Sequence, residues 1–180
     1  MIGIGLGFKW FIFVVMALMA VGSSLMMVTR KNPIHSALWL IVTFFSVAVL
    51  YVTLNATFIA VAQVMVYAGA IMMLVLFVIM LIHLEWGAQW GRKKSFPKFI
   101  GGFITLILFV QILAGVYTYS DAGQHGIYTA QKLAEIGNTR AVGALLYGKY
   151  AFAFEVASIL LLVGIVGAVL LARKRNEQER

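Results

Sequence analysis

The side chains able to do proton, metal or nucleophilic chemistry are few in this 180-residue sequence, and they sit at the edges of its apolar runs. Lys9, His35, His83 and Glu155 all fall near the end of a run, while the run interiors hold only Gln63, Gln111 and some Ser, Thr and Tyr hydroxyls. Cysteine is absent, which removes disulfides, thiolate metal sites, iron–sulfur clusters and cysteine nucleophiles from this chain. Gly3, Gly5 and Gly7 imitate a phosphate loop by eye. They follow no strand and lack the loop's Lys-Ser/Thr pair, so the likeness is accidental. No Ser/His/Asp set and no pair of carboxylates at helical spacing can be assembled. A self-contained enzyme is not encoded here.

Those residues must be positioned by elements that water does not surround. The sequence is 63% hydrophobic and 11% charged, with mean hydropathy +0.99. Globular domains are roughly 45–50% apolar and about 25% charged. The composition therefore specifies a polytopic membrane protein and excludes a nucleic-acid binder. A span needs roughly 20 apolar residues, and five runs meet that length: about 10–28, 34–54, 58–82, 99–119 and 151–172. Backbone polar groups in lipid must bond internally, so each run is predicted to be a helix of one all-α membrane domain, 1–180. Asn32 and Pro33 supply a cap and a first helical residue for the second span. Only Asn55, Ala56 and Thr57 separate the second run from the third, which predicts a tight antiparallel hairpin. The long connection 120–150 carries Gly123, Gly126, Gly137, Gly143 and Gly148, with a short surface helix expected over Thr129–Ile136 and ending at Gly137. The small residues Ala20, Gly22, Ser23 and Ser24 resemble a signal-peptide cleavage region, but the apolar Met1–Phe8 start and the long run favour a retained first span.

The net charge of +8 marks topology. Arg30 and Lys31 follow the first span; Arg92, Lys93, Lys94 and Lys98 follow the third; Arg173, Lys174, Arg175 and Arg180 follow the fifth. With five spans these stretches share one side of the membrane. The positive-inside rule then predicts an external N-terminus and a cytoplasmic C-terminus.

An ionisable group inside a membrane costs roughly 2.5–3.5 kcal/mol on insertion scales, so those that persist mark ion routes. A pump would place Lys, Glu or Asp near the midplane, and this chain has none there. Glu155, one turn into the fifth run, reads either as an interfacial carboxylate favoured by the helix dipole and Lys149 or as the edge of a polar path or subunit contact. His35 and His83 could face each other as haem ligands, against the plainer reading of two interfacial side chains. The third run is longer than a straight span requires. It encloses Gln63 and the soft segment Val66-Tyr67-Ala68-Gly69-Ala70. Excess length with a small, polar midpoint predicts a kink or π-bulge, a feature frequent at functional sites, or else close packing of helices on small residues.

At these residues the sequence resembles a known family. Val66-Tyr67-Ala68-Gly69-Ala70-Ile71-Met72, followed by Leu76-Phe77-Val78-Ile79-Met80-Leu81, is similar to the third-helix signature of the subunit J family of proton-pumping NADH:quinone oxidoreductase, respiratory complex I, whose mitochondrial members are NADH dehydrogenase subunit 6. The stretch 30–38 resembles the family's approach to its second helix, and 143–148 with 154–162 its fifth. The resemblance runs the whole chain in order. It implies a multi-pass subunit of the bacterial inner membrane that binds no cofactor itself, with FMN, iron–sulfur clusters and quinone held by partner subunits. It implies packing beside subunits A, H, K and N of the same complex. It further implies a hinge at Val66, Tyr67, Ala68, Gly69 and Ala70, with Phe77 as an apolar packing element, whose bulge opens or closes a hydrated path between the quinone site and the pumps. Some relatives place a carboxylate where this chain has Gln63. Two other classes fit the sequence: the equivalent subunit of a hydrogenase or a ferredoxin- or F420-linked membrane complex, and a free-standing channel or transporter, which the uncharged spans disfavour. The two-histidine haem reading has a direct test. The purified chain is expected to be clear in the Soret region, and a Soret band would establish the haem instead.

Overall fold

The computed structural model describes residues 2–82, 98–121 and 128–173. All described elements are helices: α1 (Ile2–Thr29), α2 (Pro33–Thr53), α3 (Thr57–Ala62), a π-helix π1 (Gln63–Ile71), α4 (Met72–Leu81), α5 (Lys98–Asp121), α6 (Ala130–Ile136), α7 (Asn138–Tyr147) and α8 (Ala151–Ala172). Five stretches are long and apolar enough to cross a membrane: Gly7–Thr29, Pro33–Thr53, Thr57–Leu81, Gly101–Thr118 and Ala151–Ala172. The all-α architecture with five spans is thus the one the chain adopts. The third span comprises α3, π1 and α4 in succession. His83, Gly123, Gly126 and the basic residues Arg92, Lys93, Lys94, Lys174, Arg175 and Arg180 lie outside the described residues.

Local sequence explains where the first helices begin and end. Asn32 caps α2, its side-chain oxygen accepting from the amides of Ile34 at 2.9 Å and His35 at 3.4 Å. Pro33 takes the first position, where a donor would go unused. At the far end Asn55 adopts φ 60°. The Asn55 amide donates to the Val52 carbonyl, and the Ala56 amide to that of Tyr51. This is a Schellman closure, which satisfies two carbonyls that the helix end would leave free. It reverses the chain in three residues and lays α3 back along α2.

The first three spans form one packed unit, with α2 between α1 and the third span. Ser23 and Thr43 hydroxyls meet at 2.8 Å across α1 and α2, and the Ser36 hydroxyl donates to the Met27 carbonyl at 2.6 Å. Among the described residues the buried apolar side chains apart from Met72 are alanines, Ala37, Ala48, Ala60 and Ala141, and Ser23 and Ser46 are buried with them. Small residues let backbones approach closely, which is how membrane helices associate when lipid is as apolar as leucine. The large apolar side chains point outward instead. Among the described residues α5 touches no other helix and α8 touches only α7. Their exposed leucines, isoleucines and phenylalanines are surface for acyl chains or neighbouring subunits.

The connection between the last two spans differs in part from expectation. α6 forms over Ala130–Ile136, with Thr129 accepting from the Lys132 amide and Gly137 ending it at φ +82°. Beyond it, Asn138–Tyr147 is a second helix, α7, where the density of glycines reads as loop. Gly143 lies inside α7 with open space around it, so the helix absorbs its cost of roughly 1 kcal/mol. α7 touches α3 on one side and α8 on the other. Gly148 makes the turn into α8: a Cβ there would lie 2.7 Å from the Ala144 carbonyl oxygen. Replacing Gly148 by Ala is therefore expected to destabilise this junction by about 1–3 kcal/mol. Gly164→Ala, in open space within α8, is expected to be neutral or slightly stabilising. Thermal denaturation of the two variants checks this, and equal melting behaviour would contradict the close approach.

Candidate functional site

The third span changes its hydrogen-bond register in its middle. At the start of π1 the Gln63 amide still donates to the carbonyls of Ile59 and Ala60. At its end the Met72 amide donates to those of Gly69 and Tyr67, the latter five residues back. The intervening nine residues are π-helical, longer than the single-turn bulge usual in α-helices. The expected bulge is therefore present, and it covers Val66, Tyr67, Ala68, Gly69 and Ala70 together.

Gly69 is the one glycine of π1, and its backbone lies close to the turn before it. A Cβ at this position would approach the Val64 carbonyl oxygen, also five residues back, to 3.3 Å. The neighbouring backbone would have to yield by a few tenths of an ångström to admit it. A residue without a side chain leaves this stretch free to hold the π register.

Around that point the side chains are unequally placed. Gln63 is buried, 9% exposed, and contributes a neutral amide where a carboxylate would titrate. Tyr67 is about half exposed, and its ring meets Phe44 of α2 edge-on, centroids 5.8 Å apart at 67°. Val66 and Phe77 are similarly half exposed, and Met72, just beyond π1, is 2% exposed. The side chains of the bulge thus divide between a contact with α2 and a face open to lipid or a partner.

The structure does not bring Glu155 to this place. It is exposed on α8, which among the described residues touches only α7. Lys149 lies over the Tyr150 ring, 5.7 Å from its centroid, and no ion pair joins it to Glu155. His35 is exposed beside Leu38, Trp39 and Val42 in a shallow groove, and its suggested partner His83 is outside the described residues. No cluster of three or more His, Asp or Glu occurs among the described residues.

Two participants escape a reading of the sequence alone. Phe44 is one, because nothing local marks which aromatic of α2 will meet Tyr67. Asn138 is the other: its Oδ1 accepts from the Phe58 amide at 3.0 Å, across 80 positions. Its signal was an Asn directly after a helix-ending Gly, the residue type that caps free amides.

The family profile of NADH-ubiquinone/plastoquinone oxidoreductase chain 6 matches residues 23–171. NADH-quinone oxidoreductase subunit J of Rhodobacter capsulatus is 37% identical over 172 residues, covering 94% of this chain and 85% of that protein. The subunit J of Escherichia coli K12 is 32% identical over 94% of this chain and 89% of its own length. The NAD(P)H-quinone oxidoreductase chain 6 of Synechocystis is 32% identical over 93% and 82%. With most of its length matched in each comparison, this chain belongs to the NADH-ubiquinone/plastoquinone oxidoreductase chain 6 family, which includes the bacterial subunits J.

Proposed function

We propose that this chain is a membrane-arm subunit of a proton-translocating NADH:quinone oxidoreductase, and that its third span couples quinone reduction to proton pumping by changing register at π1. The observation that carries the reading is the nine-residue π-helix, with Gly69 placed where a Cβ would crowd the Val64 carbonyl. A π-bulge holds one residue more than the α-helix it interrupts. Its conversion to α-helix turns one end against the other by about 100° and moves it about 1.5 Å. Tyr67, Phe77 and the small faces of Ala68 and Ala70 then meet different neighbours. In lipid such a turn decides whether a hydroxyl and its waters bridge a gap or an apolar side chain closes it.

In this reading the chain itself does no redox chemistry. FMN, iron–sulfur clusters and quinone belong to partner subunits, and the spans pack beside subunits A, H, K and N. The absence of a midplane carboxylate in this sequence assigns the titrating groups of the path to those partners, with Gln63 lending only a hydrogen-bonding amide. Glu155, exposed at the start of α8, serves as a subunit contact or the rim of the path. The basic residues after spans one, three and five support a cytoplasmic C-terminus and an external N-terminus.

Gly69→Val tests the proposal. A branched side chain crowding the Val64 carbonyl shifts the π/α balance by about 1–3 kcal/mol, a factor of roughly 5–150. Proton-coupled quinone reduction by the assembled complex is expected to fall, with NADH oxidation by an artificial acceptor largely intact. Gly69→Ala is expected to be milder. Unchanged coupled activity in an assembled Gly69→Val complex would sink the hinge.

A further inference from the structure

The third span is held at one end from outside itself. The Phe58 amide is the second of the first-turn donors of α3, which have no partner within their own helix. Ala56, at the cap position, offers no side-chain acceptor. Asn138 supplies it: the first residue of α7, placed by the φ +82° turn at Gly137, accepts from Phe58 at 3.0 Å. α7 touches α3, and its Ala141 is buried, 3% exposed. The same end of the span is tied to α2 by the Asn55 closure, and Ala60 is 4% exposed. Beyond π1, α4 also touches α2, but it has only Met72 buried and no contact with α7 among the described residues.

We propose that Asn138 is a positioning residue, which clamps the Thr57 end of the third span so that a register change in π1 is delivered to α4 and Phe77. The role rests on the coupling reading above. A bulge that converts in a helix free at both ends turns whichever end resists least. With the Thr57 end fixed by α7 and by the closure onto α2, the rotation of about 100° must appear in Met72–Leu81. The loop between the last two spans thereby acts on the coupling helix through one hydrogen bond.

The experiment is amide hydrogen exchange across residues 57–60 in the assembled complex, together with protons translocated per quinone reduced. It compares Asn138→Ala, Asn138→Gln (whose longer side chain misplaces the oxygen) and Asn138→Asp, with Gly69→Val as reference. Because the Phe58 amide has no intrahelical partner, its protection reports the Asn138 contact itself. Asn138→Ala or Asn138→Gln, whichever assembles, is expected to speed that exchange about fivefold and to lower proton translocation. Asn138→Asp, which keeps an acceptor, is expected to restore both. Unchanged exchange overturns the clamp. Faster exchange with undiminished translocation also overturns it, leaving the hinge standing if Gly69→Val still uncouples. Undiminished translocation in Gly69→Val as well removes the coupling reading beneath it.

Discussion

In hydrocarbon every backbone amide and carbonyl must find its partner within the protein. That constraint shapes this molecule more than any side chain does. It forces five helices from five apolar runs, and it demands the Asn32 cap, the Asn55 closure and the Asn138 contact where helices start and stop. It also limits how a membrane helix can move. A span that loosened into coil would strand several polar groups in lipid, whereas exchange between i−4 and i−5 acceptors keeps nearly all of them bonded. π1 is the second of these registers, and Gly69 is where its backbone carbonyl comes close.

Packing is compatible with the proposed register change. Alanines and serines bury the interfaces of the first three spans, and the Ser23–Thr43 and Ser36–Met27 hydrogen bonds tie α1 to α2. A small-residue interface gives firm backbone contact without interlocking side chains that would resist rotation. Beyond that unit, α5 and α8 expose long apolar surfaces, as suits a chain that completes its structure among partner subunits and lipid. The charges follow the same division, almost wholly excluded from the spans.

The legible parts of the fold were those governed by short-range chemistry. Apolar run length predicted the spans, Asn32-Pro33 the start of α2, and Thr129 with Gly137 the limits of α6. The softness of Tyr67-Ala68-Gly69 together with excess length pointed to a π-bulge, but local sequence could not say that it would extend over nine residues. α7 is hidden from a local reading because Gly143 and Gly148 weigh against a helix, and its contact with α3 is long-range. The Phe44–Tyr67 and Asn138–Phe58 contacts join residues far apart in sequence, so no local pattern names the partner in either. Glu155 sits one turn into the fifth run, and depth alone could not say that, among the described residues, its helix α8 touches only α7.

The central claim is that residues 63–71 exchange registers as the complex works. The most direct measurement is electron cryo-microscopy of the assembled oxidoreductase, at rest and during NADH-driven quinone reduction, at a resolution that separates i−4 from i−5 hydrogen bonding. The account predicts two populations of the third span, π-helical and α-helical over Gln63–Ile71, whose proportions change with turnover and whose α4 segments differ by a rotation of about 100°. A single register with one orientation of Phe77 in every state would contradict it.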